Sequence, residues 1–189
     1  MKKFCCIALA LFVCSTSLKA LAAEVPAEAK KQTRIGKYVT AREAFAMYEG
    51  AKDKVIVLDV RTPEEYDFVG HPAMAYNIPV KLWTGKFDAA AKRNVLADNP
   101  GFVEAVAAKF GKDARILAMC RSGDRSAVAV NRLAEAGFTD VFSVVDGFEG
   151  DAVTDKNSPD AGKRVVSGWK NSANPWTYDL DERLVYVAP

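Results

Sequence analysis

Residues 54–60 read KVIVLDV, an almost unbroken apolar run rich in β-branched side chains. A strand with one solvated face alternates polar and apolar positions, so an unbroken run suits a strand covered on both faces. ARILAMC at 114–120 has the same character, and AMAYNIP at 73–79 and VFSVV at 141–145 read as shorter strands. Between these runs the period becomes helical. In TAREAFAMYEGA, 40–51, Thr40 and Glu43 stand at capping-box spacing ahead of apolar residues at helical intervals. Thr62-Pro63-Glu64-Glu65 repeats the device, with proline at the first helical position. GFVEAVAAKF, 101–110, closes at Gly111, and GDRSAVAVNRLAEAG closes at Gly137. Two stretches lack either period: residues 23–37 predict a flexible polar arm, and VKLWTGKFDAAAKRNVLAD, 80–98, predicts an elaborated loop.

Strands alternating with helices predict one α/β domain, a parallel sheet of about five strands with helices on both faces. That domain occupies residues 38–150, and 151–189 form a C-terminal extension packed on it, carrying Trp169 and Trp176. Residues 1–22 stand apart. MKK is a short basic start, FCCIALALFVC is an apolar run too short to span a bilayer comfortably, and ALA at 20–22 is a small-x-small cleavage signal. Together they predict a secretory signal peptide cut near Ala22. The product is expected to be periplasmic or secreted, with no stable membrane insertion after cleavage.

Cleavage changes the charge and the cysteine count. The chain has 26 Lys and Arg against 24 Asp and Glu; removing Lys2, Lys3 and Lys19 leaves 23 basic residues and a net charge of about −1. Nothing in that balance favours nucleic acid. Of the 4 cysteines, Cys5, Cys6 and Cys14 leave with the signal, so Cys120 remains alone and no internal disulfide forms. With His71 the only histidine, there is no metal-ligand spacing, and no cofactor is expected.

Cys120 ends a predicted strand and opens the turn CRSGDR into a helix. The first N–H groups of a helix lack internal partners and, with the helix dipole, hold small anions. Gly123 lets the backbone curl around such an anion. Arg121 and Arg125 add positive charge, which Asp124 moderates, so Arg121, Ser122, Gly123, Asp124, Arg125 and Ser126 read as an anion cup that favours the thiolate. The polar residues after Cys120 predict a surface loop with the thiol at its mouth. That makes Cys120 the candidate nucleophile. Asp59, Arg61 and Glu65 read as supporting residues: Glu65 caps its helix, Asp59 and Arg61 anchor neighbouring loops, and Arg61 is a candidate to line the pocket. An acid/base role for the carboxylates is the weaker reading, as is a Cys–His dyad with His71, because a preformed thiolate needs no base.

The loop Cys120-Arg121-Ser122-Gly123-Asp124-Arg125 has the form Cys-x-x-Gly-x-Arg. With LDVRTPEEYDFVGHPAMAYNIP upstream and DGFEG downstream, the chain resembles the rhodanese (sulfurtransferase) family over about residues 36–150. The resemblance implies a rhodanese-like fold and double displacement through a Cys120 persulfide. A small anionic sulfur donor would load the enzyme, and a thiol, cyanide or a protein thiol would accept the sulfur. The basic loop tilts the donor toward thiosulfate. Two alternatives stand beside this: a sulfur-relay carrier serving one protein partner, and a cysteine phosphatase or arsenate reductase. The last two use a longer Cys-x5-Arg loop, and the position their arginine would take is Ser126 here.

Overall fold

Strands buried on both faces need two cores, and this chain builds two. The computed structural model describes residues 23–187, so the signal peptide expected over 1–22 lies outside the described residues. The elements are β1 (Tyr38–Val39), α1 (Ala41–Gly50), β2 (Val55–Asp59), α2 (Pro63–Val69), β3 (Tyr76–Asn77), β4 (Lys81–Asp88), β5 (Arg93–Asp98), α3 (Phe102–Lys109), β6 (Arg115–Met119), α4 (Asp124–Glu135) and β7 (Val141–Val144). A five-stranded sheet runs in the order β1-β7-β6-β2-β3, with every neighbouring pair parallel. Leu58, Ile116 and Ala118 pack with Phe102 and Val106 of α3 and with Val130 and Leu133 of α4. Val55, Val57, Leu117 and Met119 pack on the opposite face with Ala41 and Ala44 of α1 and Tyr66 of α2. Alternate residues of one strand thus enter different cores, which is why the run shows no polar alternation. The α/β architecture is the one expected.

Both capping boxes form: Thr40 with Glu43, and Thr62 with Glu65. The structure departs from the pattern in three places. Residues 80–98 are not a loop; β4 and β5 form an antiparallel hairpin that pairs only with itself. Its period is illegible because most of its side chains are exposed on both faces, and the register shifts between Trp83 and Phe87. The sheet's fifth strand is β1, whose two residues are too short to show a pattern. The arm, expected to be flexible, is pinned to the domain. Lys31 is buried and bonds Asp151 at 2.7 Å, and the Arg34 amide donates to Asn131 Oδ1 at 2.9 Å. Burial works against the Lys31 ammonium, but Asp151 and Glu28 outweigh it and raise its pKa.

From the C-terminal extension, Trp169, Trp176 and Val185 pack into the core beneath α1 and α2. Trp169 is fully buried in the second core, its indole N–H donating to the Pro175 carbonyl at 2.9 Å. Thr177 exchanges backbone hydrogen bonds with His71.

Candidate active site

The chain leaves β2 toward β3 and leaves β6 toward β7, on opposite sides of the sheet. A crevice opens at the carboxyl ends of two strands that diverge in this way, and it is where α/β sheets bind ligands. Cys120 directly follows β6 at that point.

The loop is held by its main chain. The Gly123 amide donates to Cys120 Sγ at 3.2 Å, and the Cys120 amide donates to Ser126 Oγ at 2.8 Å. The Cys120 carbonyl accepts from the Phe148 amide at 2.7 Å, and the Arg121 carbonyl from Glu149 and Gly150 at 3.0 and 3.2 Å. Gly123 has φ +106°, and a Cβ there would run into the Val145 carbonyl oxygen. Gly147, φ +60°, packs so tightly beneath the loop that a Cβ would strike the Cys120 carbonyl. These contacts place the thiol just ahead of the N-terminus of the 12-residue α4, where backbone donors and the helix dipole favour negative charge.

Cys120 is 2% exposed, so the thiol is not at the loop's mouth as expected. It forms part of the floor of an open cavity of about 620 Å³. Cys120 is buried because it packs into the first core; across the cavity, Lys81, Trp83, Arg93 and Leu96 of the hairpin build a wall that residues 120–126 alone would not provide. Thr62, Glu65, Arg121, Ser122, Asp124 and Arg125 complete the lining on the sheet side.

The charges divide into committed and uncommitted groups. Arg125 forks onto Glu65, Nη1 to Oε2 at 2.5 Å and Nη2 to Oε1 at 2.7 Å. Burial alone would push the Glu65 carboxyl up, but the Arg125 guanidinium outweighs it and holds the carboxyl below its ordinary value. The Arg125 pKa is raised: burial opposes its charge, and Glu65 more than offsets that. Arg125 was expected to be an anion ligand; the structure places it in a clamp between α4 and α2, because the Glu65 carboxylate faces it across the cavity edge. Asp124 pairs with Lys30 of the arm at 3.1 Å. Lys81 pairs with Asp98 at 2.6 Å. Arg121 and Arg93 line the cavity and have no hydrogen-bond or ion-pair partner among the described residues.

The other expected site residues lie behind the cavity or beneath the loop. Ser126 is buried and acts on the Cys120 amide rather than facing an anion. Arg61, a candidate pocket residue, is fully buried instead: Asp59 draws its Nη2 to 2.6 Å, the Gly70 carbonyl accepts at 2.7 Å, and Phe148 lies 4.3 Å from the guanidinium. His71 is buried too, stacked on Tyr66 at 3.5 Å with Nδ1 donating to the Tyr66 carbonyl. Among the described residues no group of three His, Cys, Asp or Glu is placed to hold a metal ion. The residues that pattern reading missed are Lys30 and the hairpin's Lys81, Trp83, Arg93 and Leu96. For the hairpin residues the signal is the mixture of basic and aromatic residues in a segment without a clear period; Lys30, in a polar arm, carries none.

The Rhodanese-like domain family matches residues 40–152. Senescence-associated protein DIN1 of Raphanus sativus is 37% identical over 91 residues, 48% of this chain and 45% of its own length. Thiosulfate sulfurtransferase 16, chloroplastic, of Arabidopsis thaliana is 40% identical over 91 residues, 48% of this chain and 68% of its own. The chain therefore spans less than half of the radish protein. The crystal structure of Rv0390 from M. tuberculosis superposes with a TM-score of 0.59 at 24% identity, over 75% of this chain and 96% of that one. That likeness concerns the fold.

Proposed function

The chain belongs to the rhodanese-like (sulfurtransferase) family, and from that membership and the cavity geometry we propose that it moves sulfane sulfur from thiosulfate or a similar anionic donor to a thiophilic acceptor. In the first step the Cys120 thiolate attacks the donor's outer sulfur, the donor's S–S bond breaks, and sulfite leaves with the bonding pair. Cys120 then carries a persulfide. In the second step an acceptor thiolate or cyanide attacks the terminal sulfur, and the Cys120 thiolate leaves. This is covalent catalysis with ping-pong kinetics.

The observation that carries this reading is the placement of one thiol on the floor of an open cavity, with the Gly123 amide aimed at its sulfur. That amide and the N-terminus of α4 stabilise negative charge on Sγ and on the persulfide. Arg121, unpaired at the rim, meets the sulfonate portion of the donor. Arg125 acts indirectly, holding the loop through Glu65. The secretory signal and the periplasmic or secreted location belong to the same proposal, which places the reaction outside the cytoplasm.

Intact mass after thiosulfate exposure tests it. Wild-type protein is expected to gain one sulfur atom, and Cys120→Ser none. Loading should be followed by turnover with cyanide. A wild type that takes up no sulfur defeats the proposal, and loading without turnover would mark a carrier serving a protein partner.

A further inference from the structure

The cavity is larger than the proposed donor needs. Thiosulfate is a small dianion that a backbone cup and one guanidinium can hold. A volume of about 620 Å³ falls in the range of pockets for drug-sized organic molecules, roughly 300–1,000 Å³. The additional wall comes from the β4–β5 hairpin, which offers apolar surface from Trp83, Val95 and Leu96. Trp83 remains 44% exposed, although tryptophan is among the side chains most stabilised by burial. An aromatic face left open inside a concave site is suited to cover an apolar ligand.

The charge pairing narrows the ligand further. Arg125 is held by Glu65, Lys81 by Asp98, and Lys30 neutralises Asp124. Of the guanidiniums that line the cavity, Arg121 on the loop and Arg93 on the hairpin have no partner among the described residues; Asp88, which lies opposite Arg93 in the hairpin register, accepts instead from the Ala90 and Ala91 amides. Arg121 stands beside Cys120 in the chain; Arg93 belongs to the opposite wall. A ligand that used both walls would react at Cys120, lay an apolar body along Trp83 and Leu96, and present a second anion to Arg93.

We propose that the hairpin selects the acceptor, and that the acceptor is an organic thiol with an apolar body and a distal carboxylate or sulfonate. The assignment rests on the sulfurtransferase reading above. It falls to the acceptor because of the order of events. Once loaded, the terminal sulfur stands about 2 Å beyond Sγ, and the second substrate must approach through the space that the hairpin bounds. The transfer is balanced: the acceptor thiolate forms a bond to the terminal sulfur, the Cys120 S–S bond breaks, and the departing electron pair restores the Cys120 thiolate. No oxidant or reductant is required.

The test compares two thiols of similar reactivity that differ in distal charge. Protein loaded from thiosulfate and freed of donor is discharged with 4-mercaptophenylacetate or with its methyl ester, and loss of sulfur is followed by intact mass. Wild type is expected to prefer the acid by about tenfold, the scale of one charge-assisted contact. Arg93→Ala should bring the acid-to-ester ratio near one, and Arg93→Glu should push it below one. Trp83→Ala should slow both thiols alike and leave the ratio intact. Lys86→Ala, on the hairpin but outside the cavity lining, should behave as wild type. A ratio near one in wild type, or one unchanged in Arg93→Ala, overturns the hairpin's role while leaving the transfer mechanism standing. Failure of thiosulfate to load Cys120 sinks both.

Discussion

Two walls of one cavity are built on opposite terms. In the loop of residues 120–126, amides, carbonyls and side chains are tied to β7's following turn, to α2 or to the N-terminal arm. In the hairpin of residues 81–98, the strands bond only to each other and Phe87 stands 65% exposed. The chain joins it to the domain at its base, where the Asn99 amide meets the Val80 carbonyl at 3.0 Å. The committed wall fixes the position of Sγ; in the proposed reaction the uncommitted one meets the acceptor, so that placement of the reacting atom and recognition are separated in space.

Substitutions should divide along the same line. The largest loss is expected beneath the loop. Asp59→Ala strands the buried Arg61 charge and should cost about 3–5 kcal/mol in urea unfolding; a loss under 1 kcal/mol would mean that Arg61 finds another partner. Gly123→Ala forces a side chain into a left-handed position against the Val145 carbonyl, for about 3 kcal/mol and loss of sulfur loading. Glu65→Gln should cost about 2 kcal/mol at pH 7, since the charged fork to Arg125 becomes a neutral contact.

Acid should give the same result as that last change. The folded-state pKa of Glu65 is depressed, so its contribution is complete above the unfolded value of 4.5 and is lost as pH falls through the lower folded value. Urea midpoints measured from pH 7 to pH 3 should therefore fall less steeply in Glu65→Gln than in wild type. The smallest effect belongs to the hairpin: Phe87→Ser should alter stability by no more than about 0.5 kcal/mol. A large loss there would show that the hairpin is a structural member and erase the contrast.

The division also governs what the sequence reveals. The sheet is legible because burial on both faces of 54–60 and 114–120 leaves unbroken apolar runs, and because Thr40–Glu43 and Thr62–Glu65 satisfy helix ends locally. Cys120 is legible because a polar turn between strand and helix has few other uses. The Glu65–Arg125 fork is not, since it joins residues 60 positions apart and each reads alone as a cap or a ligand. The hairpin fails for another reason: a ribbon with no buried face imprints no hydrophobic period. Arg61 misleads because arginine ordinarily signals surface, and only Asp59 beside it, with both side chains fully buried, explains its depth.

The tie between residues 120–121 and 148–150 has one more consequence. Those bonds use carbonyls and amides alone, so they are indifferent to which side chains stand at 121 and 122. Side chains at those two positions can therefore change, in the hands of an engineer or by mutation over generations, without loosening the seat of Cys120. The electrical character of the entrance can thus be rewritten without redesigning the chemistry below it.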